Sequence, residues 1–335
     1  MPGGGWKAYN VELMRFLGIL MIMGHHLYHI GFEGAYIFRN CWVWVDFYFI
    51  LTGAFTYKHF LYKHTGSGQY GSEAIQYTFL KYKKFFLLTT ISVIGMYVIA
   101  YGNMLIRHEW RLFFETALNA IFEITYLTSS GIASTLNAPL WFLSAMFITL
   151  PLIVYLMQAH REFWKVISFL APILYFGHRG VNTDRTWPND MIRAFVCIAL
   201  GTMAYMFAQK IGKCLKGNRI LCILASIVEI VMVIASIYIS AWNRPCINIM
   251  EPLFFLIISL MLSGVTVTSF INNTFVAKLG ALSMPIFIFH WVVGSVSVLI
   301  TESMRTRLLI YYVGTLLISF ISLFLLQMER KNYGR

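Results

Sequence analysis

Apolar runs of about 20 residues, the length an α-helix needs to cross hydrocarbon, recur from one end of this 335-residue chain to the other. That recurrence narrows the fold more than any other feature. Hydrophobic residues make up 59% of the chain and charged ones 12%, with a mean hydropathy of +0.68. So little charge does not cover the surface of a soluble domain of this size. The expected fold class is all-α: a polytopic transmembrane helical bundle, one membrane-embedded domain over residues 1–335.

Ten spans are predicted, at about 11–31, 40–60, 84–102, 138–158, 163–177, 191–209, 219–240, 250–270, 280–300 and 308–328. An even number puts both termini on one side. With the N-terminus inside, sixteen Lys and Arg fall in inner segments and nine in outer ones. The cation rule therefore predicts N-in/C-in, a multi-pass protein of the cell (plasma or inner) membrane. The net charge of +12 has the same explanation, and no nucleic-acid partner is expected. The first span is too long in its apolar core, and lacks a small-residue cleavage site, so it reads as retained rather than as a signal peptide. Two connections are long. Residues 61–83 read as an inner loop, Gly/Ser-rich at its start (Gly66, Ser67, Gly68, Gly71) and basic at its end. In the outer segment 103–137, the stretch Leu112 to Leu127 carries Glu115 and Glu123 and is expected to lie at the interface or re-enter. Of the five cysteines, only Cys41 and Cys246 fall near the predicted outer surface, where they would pair if adjacent. None forms a C-x-x-C, and no zinc signature is present, so no metal is expected.

Ionisable residues inside a span are costly, and function is the default reason for them. The first span carries Glu12, Arg15, His25, His26 and His29. Arg15 and His26 are eleven residues apart, about three helical turns and ~16 Å of rise, so they share a face at different depths. That pattern suits a substrate that enters beside the cation and reacts at the imidazole. Asp46 lies about six residues from the outer end of the second span and His26 about five from that of the first. The short connection makes these helices antiparallel neighbours, which brings the two side chains to one depth. A carboxylate beside an imidazole fixes its tautomer and supports its charged form. The bland alternative is an Asp–His or Asp–Arg pair that hides a charge from lipid.

Lys81, Lys83 and Lys84 abut the inner end of the third span. They read either as an ordinary positive-inside cluster or as a phosphate clamp for a cytosolic cofactor. Arg15 has its own bland reading, snorkelling or an i,i+3 pair with Glu12. Trp141 follows Pro139 where the fourth span opens. His290 and Glu229 lie mid-span and must face protein or water. His290, beside Trp291, is the better pocket candidate. Thr52-Gly53 permits close approach of another helix.

Taken together these residues resemble the acyltransferase 3 family of integral membrane O-acyltransferases, which acylate bacterial surface polysaccharides. Arg15 and His26 fit its Arg–ten residues–His motif. Val45-Asp-Phe-Tyr-Phe-Ile-Leu-Thr-Gly53 resembles its Val-Asp-Phe-Phe-Phe-Val-Leu-Ser-Gly signature, Leu140-Trp-Phe-Leu-Ser144 its Leu-Trp-Phe-Leu element, and Pro285-Ile-Phe-Ile-Phe-His290 its late Tyr-Leu-x-His span. The resemblance implies about ten helices, an acyl-CoA donor (most simply acetyl-CoA) taken from the cytosol, and a polysaccharide or lipid-linked glycan acceptor on the far side. It assigns His26 as catalytic base with Asp46 as partner, Arg15 to the donor channel, and Lys81, Lys83 and Lys84 to the CoA phosphates. Trp141 and His290 become acceptor-side candidates. Two departures stand out: lysines replace the family's arginine-rich stretch, and Thr52 replaces a serine. No esterase-like domain follows the last predicted span, as in the stand-alone form. The bilayer is an expected partner, and a second copy of the chain is a candidate one. The rival reading is a proton-coupled transporter or flippase, with the buried His, Asp and Glu as a relay.

Overall fold

A computed structural model describes residues 8–32, 34, 38–62, 68–181, 189–241 and 247–333. Its regular elements are all helical: α1 (Tyr9–His25), α2 (Trp44–Leu61), α3 (Tyr70–Arg107), α4 (Trp110–Ile124), α5 (Trp141–Ala159), α6 (Arg161–Val181), α7 (Asn189–Leu215), α8 (Arg219–Ser240), α9 (Ile247–Ser263) and α10 (Thr274–Ile300). Then α11 (Met304–Leu309) runs through a π turn, Ile310–Gly314, into α12 (Thr315–Tyr333). Every predicted span therefore finds a helix.

Among the described residues, six stretches are long and apolar enough to cross a membrane on length and composition: 70–102, 138–159, 189–215, 219–240, 274–300 and 304–326. That is four fewer than the ten expected. The shortfall has a local cause. α1 and α9 have only 17 residues each, α2 carries Asp46 and Lys58, and α6 opens with Arg161, Glu162 and Lys165. The expected inner loop is also shorter than the sequence reading made it. α3 starts at Tyr70, so Lys81, Lys83 and Lys84 stand on its helical surface. Nothing between Gly71 and the apolar run breaks a helix, and Glu73 in the first turn suits the positive end of the helix dipole. α4 has 15 residues, about 22 Å of rise, which falls short of the ~30 Å hydrocarbon layer.

The centre of the bundle is the crossing of α2 and α7. A methyl group built on Gly53 would overlap the backbone carbonyl of Ile198, and one on Gly201 the carbonyl of Ile50. The two backbones touch, as small residues allow where helices pack without a hydrophobic driving force. Helices α1, α5, α6 and α9 pack around this pair. Outward faces are apolar at helical spacing, as at Ile220, Leu224, Val228 and Val231 of α8 and Leu317, Ile321 and Phe324 of α12. Such a surface suits lipid. Cys41 is buried and its Sγ donates to the carbonyl of Ser240 at 3.5 Å; Cys246 lies outside the described residues. Glu229 is buried and accepts a hydrogen bond from Thr268, which makes it a strut between α8 and the turn before α10.

Gly53→Ala and Gly201→Ala are each expected to lower the thermal unfolding midpoint in detergent, since overpacking of this kind costs about 1–3 kcal/mol or more. Gly102→Ala, whose added methyl meets open space, is expected to leave the midpoint unchanged or raise it.

Candidate active site

α1 ends at His25. The chain then tightens into a 3₁₀ turn, His26–Ile30, closed by Gly31 at φ 82°, a left-handed conformation that glycine adopts without a steric cost. The three histidines consequently diverge. His25 Nδ1 donates to the carbonyl of Phe38 at 3.3 Å. His29 stacks on Trp291 with centroids 3.6 Å apart and bonds Ser295 through Nε2 at 2.9 Å. His26 reaches α10, where its Nδ1 is 2.9 Å from Nε2 of His290 and the two rings stack at 5.0 Å.

For two neutral rings, the partners of this pair fix its tautomers. His290 Nδ1 lies 3.0 Å from the carbonyl oxygen of Ile286. A carbonyl only accepts, so Nδ1 of His290 carries the proton. A neutral imidazole then has a lone pair on Nε2. That lone pair accepts the Nδ1–H of His26, and Nε2 of His26 is left unprotonated. His290 is fully buried, whereas His26 is partly exposed and lines a cavity of about 640 Å³. His26 therefore lines the cavity with Nδ1 held by a buried group and Nε2 left as the basic nitrogen, an arrangement compatible with a general base.

Asp46 does not take that orienting role. Its Oδ1 accepts from Arg193 Nε at 2.7 Å and its Oδ2 from Nη2 at 2.9 Å. Both side chains are buried, and the guanidinium lies over the rings of Trp42 and Trp141, 4.6 and 5.3 Å from their centroids. Pairing Asp46 with His26 is thus corrected to the Asp–Arg alternative. The physical reason is charge. A buried carboxylate needs a full opposite charge and several donors, and a guanidinium supplies both as a planar fork. Arg193 escaped the sequence reading because it stands two residues inside a predicted span start, where it counts as one more outer cation.

The cavity holding His26 is also lined by Arg193, Trp141, Trp42, Tyr28 and Asp190, so Trp141 and His26 share one cavity. His290 is fully buried and does not line this cavity, which it meets only by way of its bond to His26. Trp141 is positioned from below. Glu123, at the end of α4, accepts the backbone N–H of Leu136 at 2.8 Å and of Asn137 at 3.0 Å. Burial pushes its carboxyl up to about 7 against the pull of these two donors. Asn137 in turn donates through Nδ2 to Ser92 Oγ at 2.6 Å and to the Ile288 carbonyl at 2.9 Å. This brace joins α3, α4 and α10 to the turn Ala138–Leu140 that opens α5.

A second cavity, of about 310 Å³, lies at the other end of α1 and is lined by Glu12, Arg15 and Lys84. Arg15 bonds Glu12 at 2.8 Å, the i,i+3 pair foreseen as its bland reading, and still lines the cavity. Of the three lysines only Lys84 joins it. Lys81 Nζ lies over the Tyr77 ring, 4.9 Å from its centroid, and Lys83 is exposed. Arg15 and His26 thus serve different cavities, as their spacing along α1 suggests.

A family model described as an acyltransferase domain, Acyl_transf_3, matches residues 8–324. The chain belongs to the acyltransferase 3 family. No curated protein and no solved structure matches it. This acyltransferase is accordingly a multi-pass membrane enzyme, and the two cavities lie within the matched residues. Among the described residues, no group of three or more His, Cys, Asp or Glu is arranged to hold a metal ion.

Arg193→Met leaves Asp46 charged and unpaired in the bundle, and breaking a buried pair costs about 3–5 kcal/mol. A large drop in thermal unfolding midpoint is expected. The double variant Asp46→Leu/Arg193→Met should recover part of that loss, whereas a purely additive drop would contradict the pairing.

Proposed function

We propose that this acyltransferase transfers an acyl group, most simply acetyl, from cytosolic acyl-CoA to a hydroxyl of a cell-surface or exported polysaccharide, free or lipid-linked. It works as one domain with about ten crossings and both termini in the cytosol. The observation that carries this reading is the unprotonated Nε2 of His26 at the wall of the larger cavity, set by the bond to His290.

The CoA phosphates dock at the smaller cavity against Lys84 and Arg15. Lys81 and Lys83 add to the positive field that draws an anion to that side. The pantetheine arm runs along α1 toward His26. The acceptor enters the larger cavity, where Trp141, Trp42 and Tyr28 offer aromatic faces and Asp190 a hydrogen-bond acceptor. His26 Nε2 takes the hydroxyl proton as the oxygen attacks the thioester carbonyl. The new C–O bond forms, the C–S bond breaks, and the thiolate of CoA takes up the proton from the imidazolium. His290 keeps the His26 ring oriented through both proton transfers. Asp46 holds Arg193 at the cavity wall and takes no proton. Closure of the site against water protects the thioester from hydrolysis.

Purified protein with labelled acetyl-CoA and a crude glycan acceptor tests the reading. His26→Ala is expected to lose transfer to background, in keeping with the roughly 10²–10⁴-fold contribution of a general base. Wild-type turnover in that variant would defeat it. His290→Ala should lower kcat by about 10²-fold while the donor KM stays within about twofold, the split expected of a residue that orients the base. Lys84→Ala is expected to raise the donor KM instead. An unchanged KM would return Lys84 to a purely topological role.

A further inference from the structure

The two cavities are separated by a plug. Val45 and Phe287, which line the larger cavity, also line a void of about 10 Å³. Met284 lines that void and the smaller cavity as well. The remaining walls are Tyr48, Phe142 and Ser283. A void of this size is at or below what one water needs. Ser283 turns its hydroxyl back to the carbonyl of Gly280 at 2.6 Å, so the plug is dry.

Its walls differ in freedom to move. Phe142 packs edge-on against Phe287 at 5.4 Å and against Tyr48 at 6.3 Å, and closely against Phe49 at 4.4 Å. The Tyr48 hydroxyl donates to the carbonyl of Arg15. These three rings form a held frame. Met284 is an unbranched, flexible side chain and only partly buried. It is followed by Pro285 inside α10. Proline has no N–H, so the carbonyl of Ala281 one turn earlier lacks its helical donor, and the helix is free to adjust there. Ala281 lines the smaller cavity.

We propose that Met284, moving within the fixed frame of Tyr48, Phe142 and Phe287, is the specificity-determining side chain that admits unbranched acyl groups and rejects branched ones. This rests on the acyl-CoA reading above. The acyl group leads the donor through the plug. Behind it comes the thioester and an unbranched run of methylenes and amides, which must then occupy the same opening. An opening made by swinging one methionine aside fits that run and a straight acyl chain. A branch at the acyl α-carbon is wider than both and strikes a ring that does not yield.

The test compares acetyl-CoA with isobutyryl-CoA in the purified full-length protein. In Met284→Ala the ratio of kcat/KM for isobutyryl over acetyl should rise about tenfold or more, at least the scale that a single misfitting methyl carries in an apolar pocket, and isobutyryl adds two carbons to acetyl. Met284→Val serves the same purpose if thermal unfolding shows the alanine variant misfolded. Wild type that transfers acetyl, with a folded Met284 variant of wild-type preference, overturns the filter alone. Wild type that transfers no acyl group from any CoA thioester overturns the donor reading and the filter together.

Discussion

One hydrogen bond, between the partly exposed His26 and the buried His290, carries the chemistry proposed for this protein. An imidazole pair of this kind has a single neutral solution once either outer nitrogen is committed. The Ile286 carbonyl commits His290, and His290 thereby commits His26. The usual device for orienting a catalytic histidine is a carboxylate, which also supports the charged ring. Here the orienting group is neutral. Inside a membrane bundle that choice avoids stranding a further anion among apolar helices, where an uncompensated charge is costly.

The bond persists because the bundle holds α1 and α10 in place around it. At the centre, Gly53 and Gly201 let α2 and α7 touch. The same contact carries Asp46 to Arg193. One motif of the second span thus supplies both the close crossing and the anion that steadies a cation at the wall of the larger cavity. The Glu123–Asn137 brace fixes the turn that opens α5, where Trp141 lines the same cavity as His26. Between the cavities, Tyr48, Phe142, Phe287 and Met284 leave a void of only about 10 Å³, which suits the proposed chemistry because water would compete with it.

Much of this was legible in the sequence, and the limits were physical ones. Apolar runs marked a helix at each of the ten predicted spans, and six of the described stretches are long and apolar enough to cross a membrane. The separation of Arg15 from His26 along one helix correctly put them at different depths, since helical rise is a local property. The family resemblance, carried by the motifs around Arg15, Asp46, Trp141 and His290, agrees with the matched domain. Partner choice was not legible. Asp46 meets a residue 147 positions away, and nothing local distinguishes that outcome from a bond to His26. The rotation of His26 past the end of α1 depends on a 3₁₀ turn closed by Gly31, so straight α-helical extrapolation fails within that turn. His290 was read as a pocket residue because it is an imidazole beside Trp291 in mid-span. Its complete burial behind His26 is a tertiary fact. The lysines were read as ending a loop because Gly and Ser precede them, yet the helix begins sooner and turns only Lys84 toward the smaller cavity.

The most direct test is the protonation of the ring itself. Nitrogen-15 spectra of histidine-labelled protein, assigned through His26→Ala and His290→Ala, report which nitrogen of each ring carries hydrogen. At neutral pH both His26 and His290 are expected as the Nδ1–H tautomer, with the His26 pattern disturbed when His290 is removed. A His26 that carries its proton on Nε2, or that keeps its pattern unchanged without His290, would contradict the central claim.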